Sequence, residues 1–398
     1  RLLQIGIQGW KPQGAHKPSN LVFLVDVSGS MQDEDKLPLV KSSLKLLARE
    51  LSADDRISLV VYAGNTGVVL EPTPGDDKAA IQAALDRLEA GGSTNGGSGI
   101  TLAYAMAEKA FMKNGNNRVL LATDGDFNVG TVNFEALVDL VEEKRKSGVA
   151  LTTLGFGRGN YNDQLMEQLA DAGNGNHAYI DSLTEARRVL VSQRDATLGT
   201  IAKDVKVQVE FNPAIVAEYR LIGYENRMLN REDFNNDKID AGEIGAGHTV
   251  TALYEIALKG GGGERVDPLR YGSNAMVAKG GDELAYLRLR YKRPEDGMEA
   301  ASRLIERPIR KGDMREDAAR ATPGFRLAAA VAAYGQLLRG GDYTGSFGWR
   351  DVAALAESAR GVDPESAGFL ELVRLADGLS TQAAATVGDR QQLVPGGG

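Results

Sequence analysis

Cysteine is absent from the 398 residues, which removes disulfides, thiolate nucleophiles and zinc–thiolate sites together. The absence does not decide the compartment, because secreted bacterial proteins also do without cysteine. Histidine occurs only as His16, His177 and His248, and no Gly-x-Ser-x-Gly elbow surrounds a serine. A Ser-His-Asp triad would have to be gathered from scattered residues. A basic surplus is missing too: 46 Lys and Arg against 54 Asp and Glu leave a net charge of -8. That balance argues against a nucleic-acid backbone as partner and suits divalent cations. No apolar run approaches the roughly 20 residues of a membrane helix. The chain begins at Arg1 without methionine, which leaves room for a removed leader or anchor.

What is present is a globular composition, 42% apolar and 25% charged, with 48 glycines that foretell many tight turns. The length implies about two to three domains. Residues 1 to 10 alternate, Leu3, Ile5 and Ile7 against Gln4, Gly6 and Gln8, and read as a strand. Such a strand cannot bury its apolar face alone, so it is expected to join the later β region, beside Lys206–Phe211 or Leu284–Tyr291.

From residue 20 to about 200 the chain has a βα rhythm. Strands are expected at Leu21–Val27, Ile57–Tyr62, Val119–Ala122, Val149–Phe156 and His177–Ile180. Amphipathic helices are expected between them, at Leu37–Leu51, Asp76–Leu88, Ile100–Met112, Phe134–Lys146 and Asp163–Ala170. This predicts an α/β fold, a doubly wound, mostly parallel sheet. Over 201–312 alternation without helices (Val205, Val207 and Val209, then Ile215–Tyr224, Thr249–Leu258 and Leu284–Tyr291) predicts an antiparallel β-sandwich that holds or flanks the first unit. Gly260–Gly281 reads as a long loop within it. Helical spacing returns over 313–379, in Phe325–Leu338, Trp349–Ser358 and Glu365–Leu379, and 380–398 reads as a flexible tail.

The first strand of the βα unit ends in Asp26-Val27-Ser28-Gly29-Ser30, which sets an acid and two hydroxyls at alternate positions on a turn leaving the sheet. A glycine-rich stretch then offers Thr94, and the strand ending at Ala122 runs into Thr123-Asp124-Gly125-Asp126. In a doubly wound sheet ligands collect beyond the carboxyl ends of the strands where strand order reverses. If the Val119 strand lies beside the Leu21 strand, Asp26 and Asp124 converge there. A lone Asp-x-Ser-x-Ser turn is equally an ordinary capping turn; Thr94 and Asp124 in a βα setting favour a metal site. Asp126 reads as a solvated loop residue.

Asp26, Ser28, Ser30, Thr94 and Asp124, over residues 20 to 200, resemble the metal-ion-dependent adhesion site (MIDAS) of von Willebrand factor A (vWA) domains. The resemblance implies a Rossmann-like fold and a bound cation, usually Mg2+, with Mn2+ or Ca2+ as substitutes. It also implies that the serines and often the threonine bind the metal directly, while the aspartates can act through water. Hard cations of this kind favour oxygen donors and commonly keep waters. A site whose direct ligands are mostly neutral hydroxyls leaves the ion electrophilic, so a partner's Asp or Glu carboxylate can take the open position. In some relatives, the resemblance further implies, ligand binding shifts the final helix of the domain, here about Leu183–Leu198, which would pull on the strand beyond Gly199–Asp204. The run Asp240 to Glu255, with Gly345-Ser346-Phe347-Gly348-Trp349, is similar to bacterial envelope proteins that set this domain between a strand-rich flank and a helical C-terminal region. The expected location is therefore the cell envelope, periplasmic or surface-exposed, with a lipid anchor on a missing N-terminus.

Three other patterns compete for attention. Gly91–Gly99 lacks the lysine of a phosphate-binding loop, and Gly155-Phe156-Gly157-Arg158-Gly159 has Asn160 where a dinucleotide fingerprint wants glycine. Asp233-Phe234-Asn235-Asn236-Asp237-Lys238-Ile239-Asp240 starts like a calcium-binding EF-hand loop but departs from it at Lys238 and Ile244, so a polar turn is the plainer reading. The function expected is a cation-dependent protein-binding module for adhesion or assembly, not an enzyme, with no nucleic-acid partner and no membrane span. The alternatives are a metal-dependent hydrolase or phosphotransferase, and a scaffold whose metal is purely structural.

Overall fold

The computed structural model describes residues 1–11, 17–92, 96–125, 134–159, 161–224, 228–237, 241–265, 281–297, 300–362 and 365–392, with 319 and 382–392 as backbone only. At its centre β2 (Ser19–Asp26) is buried along its whole length. Leu21, Phe23 and Val25 enter one hydrophobic cluster and Val22 and Leu24 the other, which is why the strand reads as an unbroken apolar run rather than an alternation. Parallel neighbours flank it: β3 (Arg56–Tyr62) on one side and β5 (Asn116–Thr123) on the other. Beyond β5 lie β6 (Ala150–Gly155) and β7 (His177–Tyr179), also parallel, and beyond β3 lies the antiparallel edge strand β4 (Gly67–Pro74). Helices α1 (Leu37–Arg49) and α2 (Lys78–Asp86) cover one face of this sheet. Helices α3 (Gly96–Lys109), α4 (Phe134–Lys144) and α5 (Asp163–Ala172) cover the other. Strand order reverses between β2 and β5, so the loops that leave these two strands flank the switch point.

The last helical stretch of this unit is not continuous. It is α6 (Leu183–Arg187), a π-helical turn over Arg188–Ser192, and α7 (Arg194–Leu198). The Thr197 hydroxyl donates to the Val189 carbonyl (3.0 Å) across the interruption. One residue later the chain enters β8 (Thr200–Phe211).

The antiparallel region has two sheets. One is β10 (Gly242–Gly245), β8, β12 (Glu283–Lys292) and β13 (Arg303–Arg310), in that order. The other is β1 (Leu2–Gln8), β11 (Thr249–Leu258) and β9 (Val216–Ile222). Phe211 and Ala285 of the first pack with Val216 and Ile256 of the second, so the two sheets share one core as a sandwich. β1 runs antiparallel to β11, from Leu2 opposite Glu255 to Gln8 opposite Thr249. The expected neighbours Lys206–Phe211 and Leu284–Tyr291 are not its partners; they pair with each other, and β13 takes the other side of β12. Since β1 precedes the α/β unit and β11 follows it, that unit is an insertion in the sandwich.

Helices α8 (Pro323–Leu338), α9 (Trp349–Glu357) and α10 (Ser366–Gln392) close the chain around Ala330, Val352, Ala356, Leu370 and Val373. α10 continues to Gln392 where a tail was expected from 380, and the good helix formers Gln382-Ala383-Ala384-Ala385 carry the helical pattern past Leu379. The expected loop 260–281 falls in part outside the described residues, at 266–280.

Removing residues 1–10 takes away every β1 partner of β11. Hydrogen exchange should then speed up across Thr249–Glu255 while Ser19–Asp26 keeps its protection. A rise confined to the α/β unit would show that the β1 pairing does not hold in solution.

Candidate metal centre

Asp26, the last residue of β2, is fully buried. Its Oδ1 accepts the Ser28 backbone N–H (2.9 Å). Its Oδ2 accepts the hydroxyls of Thr123 (2.9 Å) and Tyr62 (3.3 Å). Burial raises the Asp26 pKa above the ordinary carboxylate value; the bonds from Ser28 and Thr123 pull it down, and the charge of Asp124 adds to the rise. Burial beside Asp26 also holds the Tyr62 phenol far above its usual range, so Tyr62 is a permanent donor here. Thr123, having given its proton to Asp26, accepts the Gly125 N–H (3.1 Å) and so fixes the loop that carries Asp124.

The turn after Asp26 is held from two sides. Val27 N–H donates to the Tyr62 carbonyl (3.1 Å), Gly91 N–H to the Val27 carbonyl (2.7 Å), and Gly29 N–H to the Gly92 carbonyl (3.1 Å). Buried Met31 anchors a short 3-10 turn, Gly29–Gln32. These bonds set the Ser28 and Ser30 hydroxyl oxygens 3.0 Å apart. Neighbouring donors in an octahedron with bonds of about 2.1 Å also lie about 3.0 Å apart, so the spacing suits two adjacent ligands of a magnesium-sized ion as well as it suits a hydrogen bond.

Asp124 is buried, and its Oδ2 accepts the ammonium of Lys36 at 3.0 Å. The same ammonium donates to the Ser30 carbonyl at 2.9 Å. Asp26, Ser28, Ser30 and Asp124 are therefore linked by one continuous set of bonds at the switch point. Thr94 lies outside the described residues, as does Asp126; Gly92, two residues before Thr94, is the residue bonded to Gly29. Among the described residues no group of three or more His, Cys, Asp or Glu side chains gathers. The two site carboxylates fall short of such a group, and the remaining donors are hydroxyls.

Four contributors were not singled out from sequence: Lys36, Tyr62, Thr123 and Gly157. Gly157 has φ of +79°, a conformation that favours glycine, and a Cβ there would stand 2.5 Å from Cε of Lys36. A Cβ on Gly155 would overlap the Tyr161 hydroxyl, only 2.0 Å away. Gly155, at the end of β6, and Gly157 thus seat two side chains and are no part of a dinucleotide loop.

The EF-hand-like stretch is occupied differently, with 238–240 outside the described residues. The carbonyl of Asn236 accepts from Lys206 (2.6 Å) and that of Asp237 from Lys292 (2.8 Å). Both ammoniums also face the buried carboxylate of Asp204, at 3.4 and 2.9 Å. The Asp237 carboxylate, which would be the fifth-position ligand of such a loop, faces Arg290 (3.6 Å) and the Ser302 N–H (3.4 Å) instead, and the stretch is a polar turn pinned from the sandwich. Breaking a buried ion pair from one side costs about 3–5 kcal/mol. Lys206→Met should lower the urea midpoint of the sandwich correspondingly, and a shift equivalent to under about 1 kcal/mol would mean that this cluster is solvated and carries little.

Residues 20–193 match the von Willebrand factor type A domain, and residues 196–379 match the C-terminal region of the uncharacterized protein YfbK. Over 368 residues the chain is 49% identical to YfbK of Escherichia coli (strain K12). The chain carries a von Willebrand factor type A domain and is closely related to YfbK. That similarity takes in 91% of this chain and 62% of YfbK, so the chain spans less than two thirds of that relative. A human protein, inter-alpha-trypsin inhibitor heavy chain H3, is 25% identical over 266 residues, 62% of this chain and 30% of that one. Among solved structures, a von Willebrand factor type A protein from Catenulispora acidiphila aligns over 94% of this chain and 89% of its own, with a TM-score of 0.51 and 16% identity, a likeness of fold. The von Willebrand factor type A domain is a protein-interaction module rather than an enzyme fold.

Proposed function

We propose that this protein binds a partner protein through a divalent cation held by Asp26, Ser28, Ser30, Thr94 and Asp124, with Mg2+ as the ordinary ion and Mn2+ or Ca2+ as substitutes. The observation that carries this reading is Asp26: a carboxylate fully buried at a strand end, bonded only to N–H and O–H donors. Among the described residues no basic side chain forms an ion pair with it, and a buried charge without one is expensive. The hydroxyl pair of Ser28 and Ser30 stands two and four residues on, at a spacing that suits adjacent ligands. Thr94 enters because the glycine-rich segment leading to it is bonded to the Asp26–Ser30 turn at Gly91 and Gly92.

Tyr62, Thr123 and the Ser28 N–H keep the Asp26 carboxylate aimed, while Ser28 and Ser30 offer neutral oxygens that leave most of an ion's charge unspent. A bound magnesium ion supplies a hard Lewis-acid centre with a coordination position that a carboxylate oxygen of a partner's Asp or Glu can fill. The expected setting for such a module is the cell envelope, periplasmic or surface-exposed. Among the described residues no helix is long and apolar enough to cross a membrane. A phosphotransfer reading through Asp26 fares worse, because a nucleophile must be reachable and this carboxylate is enclosed, with both oxygens already bonded.

Anything bound only by the folded state stabilises it by about 2.7 kcal/mol at 100 times its dissociation constant. Mg2+ or Mn2+ should therefore raise the melting temperature of the full chain and chelator should reverse the rise. Asp26→Ala and Asp124→Ala should abolish the response while the chain still folds. An undiminished cation response in both variants would overturn the site. Retention of an envelope protein in Mg2+ but not in chelator is the expected result for binding, and stabilisation without any cation-dependent retention would leave the metal structural.

A further inference from the structure

Lys36 stands out because it is a nearly buried ammonium, 7% exposed, that reaches both loops of the metal centre. It lies 2.9 Å from the Ser30 carbonyl on one loop and 3.0 Å from Asp124 Oδ2 on the other. Its stem runs across Gly157, where any side chain would displace it. Asp33, the other acid beside it, is exposed and no closer than 4.0 Å. Burying an ammonium and a carboxylate together is a poor route to stability, since desolvation offsets most of the attraction and an apolar pair of the same volume serves as well. The position of the charge, between the loops that a divalent cation would join, points to a role in the site itself.

We infer that Lys36 is a tethered cation that sets the charge of the metal centre, weakening its hold on divalent cations and leaving the loaded site with an excess positive charge that selects an anionic partner. This rests on the reading that Asp26 and Asp124 hold a divalent cation. Among the described residues Asp26 and Asp124 contribute two negative charges and Lys36 one positive, which leaves one net negative charge. A divalent cation turns that into one net positive charge, which a single carboxylate from outside balances. Without Lys36 the loaded centre is neutral overall and its pull on a carboxylate is weaker. The ammonium also repels the incoming ion at short range in a region screened from water, where charge–charge interactions amount to several kcal/mol. Before the ion arrives, the same ammonium holds the Asp124 loop against the Asp26 turn.

The test is calorimetric titration of Mn2+ and of Mg2+ into the full chain, for wild type, Lys36→Met, Lys36→Gln, Lys36→Arg and Asp26→Ala, with circular dichroism to confirm folding. Lys36→Met and Lys36→Gln should bind Mn2+ about tenfold more tightly or better, Lys36→Arg should stay near wild type because it keeps the charge, and Asp26→Ala should not bind. Lys36→Gln keeps a polar partner for Asp124 and decides the matter if the methionine variant does not fold. Wild-type binding with equal or weaker binding by the uncharged variants would overturn the role of Lys36 and leave the metal reading standing. No binding by wild type or by any Lys36 variant would overturn the metal reading itself.

Discussion

Parallel pairing of β2 with β5, Val25 opposite Ala122, delivers Asp26 and Asp124 to the same edge of the sheet, and burial of the first carboxylate then dictates what surrounds it. A charge with no solvent must be met by oriented dipoles or by another charge. Asp26 takes three dipoles, from the Ser28 amide and the hydroxyls of Thr123 and Tyr62, and those three residues come from the turn, from β5 and from β3. One side chain therefore ties the ends of three neighbouring strands together. Asp124 takes the other solution, a basic partner, although it is buried to a similar degree.

Internal cations serve elsewhere among the described residues too, and two of those cases set beside Lys36 separate structural pairing from site chemistry. In the sandwich, Lys206 and Lys292 converge on Asp204 and on two carbonyls of one turn, which sets two ammoniums against one buried carboxylate. At the foot of the parallel sheet the fully buried Arg118, its pKa pushed down to about 10 by burial, donates to Thr152 (2.6 Å) and to Thr200 (3.3 Å). That guanidinium fastens the first residue of β8 to the inserted unit. Neither arrangement bonds to the loops that leave β2 and β5 among the described residues. Lys36 differs because its two partners belong to the two loops at the switch point.

Much of this was legible from residues alone, and what was not has identifiable causes. β2 and β5 announce themselves because strands buried on both faces are unbroken apolar runs, and Asp26 and Asp124 are legible because each ends such a run. β4 was not foreseen: Gly67–Pro74 is an edge strand with prolines at 72 and 74 and mostly half-exposed residues, so it lacks the contrast that marks a buried strand. β13 escaped for a related reason, since Arg303–Arg310 carries four charges on an open edge. The partner of β1 could not be named because alternation tells which face is apolar but not which edge is free. Lys36 follows Asp33-Glu34-Asp35 and reads as part of a solvated charged turn. Only the fold shows that its stem turns inward over Gly157. Thr123 and Tyr62 are ordinary strand residues until the strand pairings bring their hydroxyls to Asp26.

The insertion also decides which way the candidate site faces. Parallel strands all enter at one end of the sheet and leave at the other, and the attachments to the sandwich are at the entry end, through Ser19 at the start of β2 and through Arg118 of β5 bonded to Thr200 of β8. Asp26 lies at the exit end, seven residues along β2 from Ser19, or about 23 Å at roughly 3.3 Å per residue. Through these two attachments the sandwich is joined at the end of the sheet opposite the one that carries Ser28, Ser30 and Asp124. A module that met its partner through the joined face would have to compete with its own flanks for that surface. Here, among the described residues, both attachments lie at the end that has no candidate ligands, Ser19 and Arg118 at one end of the sheet and Asp26 and Asp124 at the other.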